Sequence, residues 1–79
     1  MLSRRFRKEF DALDTALKDR VRARLRLLAG HFDAAHHERL TGRPEFKLRV
    51  GDWRVLYDLD RAQRQILLLT VRHRREVYR

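Results

Sequence analysis

The chain has no cysteine, which excludes disulfide frameworks, thiolate zinc sites and cysteine nucleophiles together and fits a reducing compartment. Glycine and proline are scarce, three and one respectively, and no glycine-rich phosphate-cradling loop occurs, which argues against nucleotide hydrolysis. Long apolar runs are also missing. The longest centres on Ile66 to Leu69, far short of the roughly 20 residues of a membrane span. The N-terminus reads Met-Leu-Ser-Arg-Arg-Phe-Arg-Lys, with no apolar signal core behind it. These absences predict a cytoplasmic protein with no membrane role. At 79 residues the chain has material for one small core, so a single domain over 1–79 is expected and large multi-substrate enzymes are excluded.

What is present in excess is positive charge. Twenty Lys plus Arg stand against eleven Asp plus Glu, a net +9, and seventeen of the twenty are arginine. Such a field suits a polyanion or an acidic partner. The planar guanidinium fork, matched to two oxygens of a phosphate or carboxylate, strengthens that reading over a merely solvated surface.

Two amphipathic helices open the chain. Ser3 is a plausible N-cap, and Phe6, Phe10, Leu13 and Leu17 recur at spacings of four, three and four, so a first helix is expected to run to about Leu13. Asp14 or Thr15 can cap a second, whose stripe is Leu17, Val21, Leu25 and Leu28 and whose end is expected at Gly30, in the left-handed conformation. Arg20, Arg22, Arg24 and Arg26 alternate along it, a pattern that scatters them over two solvated sides. His31 to Pro44 reads as a connecting loop with a short helical turn around Ala34 to Arg39.

The period then changes to two. Phe46, Leu48 and Val50 alternate with Lys47 and Arg49, Gly51 and Asp52 give a turn, and Trp53, Val55 and Tyr57 alternate with Arg54, Leu56 and Asp58. A two-residue turn there pairs Val50 with Trp53, Arg49 with Arg54, Leu48 with Val55 and Phe46 with Tyr57. One face of the hairpin is apolar and aromatic, and its rings read as core. The other gathers Lys47, Arg49 and Arg54, like charges that destabilise a sheet unless a carboxylate or a bound anion neutralises them. Asp58, four residues beyond Arg54, is a candidate for part of that relief. A third strand, Gln65 to Val71, is apolar almost throughout and reads as central, buried on both faces. The fold class is α+β, an N-terminal helical hairpin packed on a small antiparallel sheet.

Three blocks carry a resemblance: Leu40-Thr41-Gly42-Arg43-Pro44, then Lys47-Leu48-Arg49-Val50-Gly51-Asp52-Trp53-Arg54-Val55-Leu56-Tyr57, then His73-Arg74-Arg75-Glu76-Val77-Tyr78. They resemble the RelE/ParE superfamily of bacterial type II toxins, closest to the RelE branch, over nearly the whole chain. The resemblance implies a RelE-like toxin that cleaves messenger RNA in the ribosomal decoding site and so inhibits translation, a metal-independent endoribonuclease. By position it implies catalytic roles for Lys47, Arg49, Arg54, Arg74 and Tyr78; Arg43, His73, Arg75 and Arg79 are further candidate RNA contacts among the basic residues. Arg49 and Arg54 would stabilise charge on the phosphate. Lys47 would act as base or electrostatic activator, Arg74 would neutralise phosphate or protonate the leaving oxygen, and Tyr78 would stack on a base or orient the nucleophile. Partners implied are a cognate antitoxin, the ribosome and messenger RNA.

Neither cofactor nor metal is expected. His31, His36 and His37 stand too close in sequence to converge on one ion, with no carboxylate or cysteine cluster to help. The other branch, ParE, poisons DNA gyrase, and a gyrase inhibitor or a non-catalytic basic binding module of the same fold are the alternatives. One departure stands out: only Met1 and Leu2 precede Ser3 where relatives begin with a strand. A short or missing N-terminal edge strand is therefore expected, leaving its neighbour open to pairing with another chain. Arg72 also stands where many relatives have glycine.

Overall fold

Ser3 starts the first helix and ties it to the sheet at once. Its hydroxyl accepts from the Phe6 N–H (3.0 Å) and donates to the Leu69 carbonyl (2.7 Å). In this computed structural model, which describes residues 1–33 and 37–77, α1 spans Arg4–Asp11 and α2 spans Thr15–Gly30. The first helix stops two residues before the expected Leu13, where the Leu13 N–H turns back to the Phe10 carbonyl (3.0 Å) and the side chain drops into the core. Asp14 is the second N-cap, its carboxylate accepting from the Leu17 N–H at 2.8 Å. Gly30 does not take the left-handed conformation and stays in the last turn. The chain leaves the helix at His31, whose N–H meets the Leu27 and Leu28 carbonyls (3.2 and 3.3 Å).

Four antiparallel strands follow in the order β1 (Glu38–Arg39), β2 (Phe46–Val50), β3 (Trp53–Asp60) and β4 (Gln65–His73), and a short α3 (Arg74–Val77) closes the described chain. The hairpin register agrees with the sequence arithmetic, including Phe46 opposite Tyr57 and Arg49 opposite Arg54. Gly51 supplies the positive φ (60°) that its tight turn requires. Two further expectations fail. Where a helical turn around Ala34 to Arg39 was expected, Glu38 and Arg39 are a strand paired with Lys47 and Phe46; Ala34, Ala35 and His36 lie outside the described residues. The apolar strand β4 is not central: it is the last strand of the sheet, and Ile66 to Leu69 are only half-buried. Its apolar character reflects the helix packed along it and the N-terminal residues beside its outer edge.

Those N-terminal residues form a single parallel bridge, Leu2 to Leu68, rather than a strand. The Leu68 N–H donates to the Met1 carbonyl and the Ser3 N–H to the Leu68 carbonyl, both at 2.9 Å. The edge is thus partly covered. Both helices pack on the face carrying Val50, Val55 and Val71, with Phe6 and Val21 completing a core that is at most 2% exposed at these five positions. Each such side chain contributes about 1.5–3 kcal/mol by leaving water. A second cluster joins Leu28, Phe46 and Tyr57. Among the described residues no helix is long and apolar enough to cross a membrane.

Candidate anion-binding site

With the helices on one face, the other carries the charge. The β3–β4 register sets Arg54 opposite Arg72, so Arg49, Arg54 and Arg72 form one row across three neighbouring strands. Adjacent strands lie about 4.8 Å apart, so three like charges fall within about 10 Å along the backbone. A register shift at Leu56/Tyr57 makes this possible: Leu56 faces Thr70 while Tyr57 faces Leu68, so Leu69 is an extra residue. The bulge re-aims the upper part of β4 and aligns Arg72 with the hairpin arginines.

Arg54, in the middle, is 7% exposed. One terminal nitrogen, Nη1, donates to the Gly51 and Trp53 carbonyls (3.2 and 3.1 Å). Its Nε is buried with no hydrogen-bond partner, and for a charged donor this costs more than the about 1–3 kcal/mol of a neutral group. The outer members of the row are held by carboxylates. Glu38 Oε2 lies 3.3 Å from Lys47 Nζ and 3.9 Å from Arg49 Nη2. Glu9 Oε2, reaching over from α1, lies 3.7 Å from Arg72 Nε. Asp58 does not supply the expected relief: it is exposed, and its carboxylate accepts from the Leu59 N–H at 3.0 Å.

The other sequence candidates separate by place. Arg74 and Arg75 are exposed at the start of α3, and the Arg74 N–H donates to the Asp52 carbonyl (2.8 Å), which sets α3 beside the hairpin turn at the same end of the sheet as the row. His73 pairs with Trp53 and presents its ring to the indole at 5.6 Å, so alternation places it on the helix-facing side, away from the arginines. Arg43 is exposed in the β1–β2 connection, at the far end of β2 from Arg49. Tyr78 and Arg79 lie outside the described residues.

Three members of the site were missed in the sequence: Arg72, Glu38 and Glu9. Continuing the β4 alternation past Val71 was the available sign for Arg72, while the two carboxylates come from distant segments. His37, read only as a weak metal candidate, has a structural place. Its Nε2 meets the Phe32 carbonyl and its Nδ1 the Tyr57 hydroxyl, both at 2.8 Å. Since the carbonyl must accept, Nε2 carries the proton and Tyr57 donates to Nδ1. Burial, and secondarily the negative charge of Glu38, push the Tyr57 hydroxyl above its ordinary pKa of 10.0.

The chain matches the family described as ParE toxin of type II toxin-antitoxin system, parDE, over residues 1–78. No curated protein matches it by sequence. Among solved structures, the isolated E. coli RelE toxin superposes with a TM-score of 0.77 at 20% identity, covering 98% of this chain and 86% of that one. A chain of the Methanococcus jannaschii RelB-RelE antitoxin-toxin complex superposes at 0.75 with 15% identity, covering 99% of this chain and 94% of that one. The Mycobacterium tuberculosis RelBE2 complex gives 0.74 at 20% identity, over 92% and 93%. The structural likenesses establish the RelE-like fold, and the chain belongs to the ParE toxin family within the RelE/ParE superfamily.

Proposed function

We propose that this type II toxin arrests growth by cutting messenger RNA on the ribosome, with the row Arg49, Arg54 and Arg72 receiving the scissile phosphate. The observation that carries the reading is the centre of the row: a buried guanidinium whose Nε has no partner, set between two further arginines. A sheet that keeps this arrangement holds fixed positive charge in a low-dielectric place, the condition under which charge stabilisation is largest.

In the proposed reaction the 2′-hydroxyl gives its proton to solvent water and its oxygen attacks the adjacent phosphorus in line. The bond to the 5′-oxygen breaks, leaving a 2′,3′-cyclic phosphate on one fragment and, once that oxygen takes a proton from solvent water, a 5′-hydroxyl on the other. Arg54 and Arg49 stabilise the negative charge that builds on the phosphoryl oxygens. Lys47, beside Glu38, activates the 2′-hydroxyl electrostatically. Arg74, at the adjoining start of α3, neutralises the phosphate, and Tyr78 keeps the stacking or orienting role that the resemblance implies. The proposed partners are the ribosome with its message and a cognate antitoxin, a partner supported by the relatives solved as antitoxin–toxin complexes. The proposed site of action is the cytoplasm.

The family match to ParE favours one second reading, inhibition of DNA gyrase through the same basic face. Expressing the toxin in growing cells separates the two. New 5′ ends within translated messages, without gyrase-linked DNA breaks, are expected. Growth arrest with intact messages and broken DNA would overturn the ribonuclease reading.

A further inference from the structure

The two carboxylates that flank the row differ. Glu38 is 46% exposed at its side chain, and its partner Arg49 is 60% exposed. Glu9 is 24% exposed and Arg72 33%. The Arg72 end is therefore the more enclosed one, and its carboxylate comes from a helix on the opposite side of the sheet.

Glu9 reaches this place by passing the outer edge of β4. One oxygen, Oε1, accepts from the Thr70 hydroxyl and from the Val71 N–H (3.3 Å). The other lies 3.5 Å from Arg5 Nε, one helical turn earlier, and 3.7 Å from Arg72 Nε. The Val71 N–H points away from β3, and the N-terminal bridge ends at Ser3 and Leu68, short of this amide. An unpaired amide on a sheet edge is a liability. Glu9 thus supplies the acceptor that an adjoining strand would otherwise provide, and with its second oxygen it meets the guanidinium of the next residue. Arg72 stands opposite a like charge in Arg54, and the Glu9 carboxylate sets a counter-charge beside it that offsets part of the repulsion.

We propose that Glu9 is a positioning residue for the arginine row: by gripping the Val71 amide and the Arg72 guanidinium with one carboxylate, it holds Arg72 beside Arg54. The role rests on the reading of the row as a phosphate site. It assigns α1 a part in function as well as in the core, and it makes the sheet edge and the anion site one unit.

Glu9→Gln is the informative variant, because an amide oxygen still accepts from Thr70 and Val71 while the charge is removed. The measurements use the full chain. In the wild type the Arg72 Nε–H NMR signal is expected apart from those of the exposed arginines, because a carboxylate stands beside it. In Glu9→Gln it moves toward them. Single-turnover cleavage of ribosome-bound message falls about tenfold through its maximal rate, with half-saturation unchanged, as expected when a contacting group is misplaced. Against an Arg72→Ala background the same substitution has little further effect. An unchanged Arg72 Nε–H signal overturns the proposal whatever the protein cleaves. A loss that persists in full without Arg72 overturns it too, assigning Glu9 a purely structural role. A wild-type protein that cuts no RNA, yet shows the signal change in Glu9→Gln, overturns the phosphate reading while supporting the hold of Glu9 on Arg72.

Discussion

Arg54 stands directly opposite Arg49, yet the carboxylate at that end of the sheet, Glu38, meets Lys47 and Arg49 while Arg54 is left to two backbone carbonyls. A buried cation placed between like charges weakens the fold, and replacing such a group with an apolar one of similar length is often stabilising. Arg54→Met is therefore expected to raise stability by about 1 kcal/mol, a melting-temperature gain of about 4–8 °C for a domain of this size, while abolishing toxicity. Thermal melts of the two proteins check this. A variant that melts well below the wild type would show that Arg54 serves the fold rather than the anion.

Glu38 acts as an internal anion on the basic face. Glu38→Gln removes its charge from Lys47, whose side chain is only 9% exposed, and stability should fall by about 1–2 kcal/mol. Binding of a short single-stranded RNA should tighten at low salt, with the gain fading as salt rises. Fluorescence anisotropy across a salt series reads both effects, and weaker binding at low salt would contradict the assignment.

Tyr57 gives the fold an alkaline limit. Burial, then Glu38, raise its pKa above 10.0, so as pH climbs past 10 the unfolded chain loses this proton while the native state keeps it. The native state then binds more protons, and stability falls with rising pH. The contribution is whole below pH 10 and is lost through the raised native value. Urea unfolding from pH 8 to 11 should show a shallower alkaline decline in Tyr57→Phe, although that variant starts lower because His37 loses its donor. Parallel declines would exclude Tyr57 as a cause.

Ser3 caps α1 and bonds to the β4 carbonyl of Leu69 through one hydroxyl. Ser3→Ala is expected to cost about 1–2 kcal/mol, and hydrogen exchange should quicken at the Phe6 and Leu68 amides together. Faster exchange at Phe6 alone would mean that the cap and the edge bridge are independent.

Local patterns told most of the hairpin and the helices. Alternation plus Gly51-Asp52 determined every β2–β3 pair, because a two-residue turn leaves one register; the cap at Ser3 followed from residue type, while the choice of Asp14 over Thr15 needed the structure. What stayed hidden depended on distant contacts. The apolar run of β4 looked central because burial by a helix and an N-terminal bridge leaves the same composition as burial between strands. The bulge that brings Arg72 to Arg54 has no sequence mark, and Arg72 looked like the start of a tail. Glu9 and Glu38 lie in segments read as a plain helix and a loop, so their pairing with the row required the fold.

The most direct measurement sets binding against chemistry for Arg54→Ala on ribosomes carrying a defined message. The account predicts that ribosome affinity changes by only a few fold while single-turnover cleavage of the message falls by about 10²–10³. Equal losses in affinity and cleavage, or cleavage that survives the substitution, would contradict it.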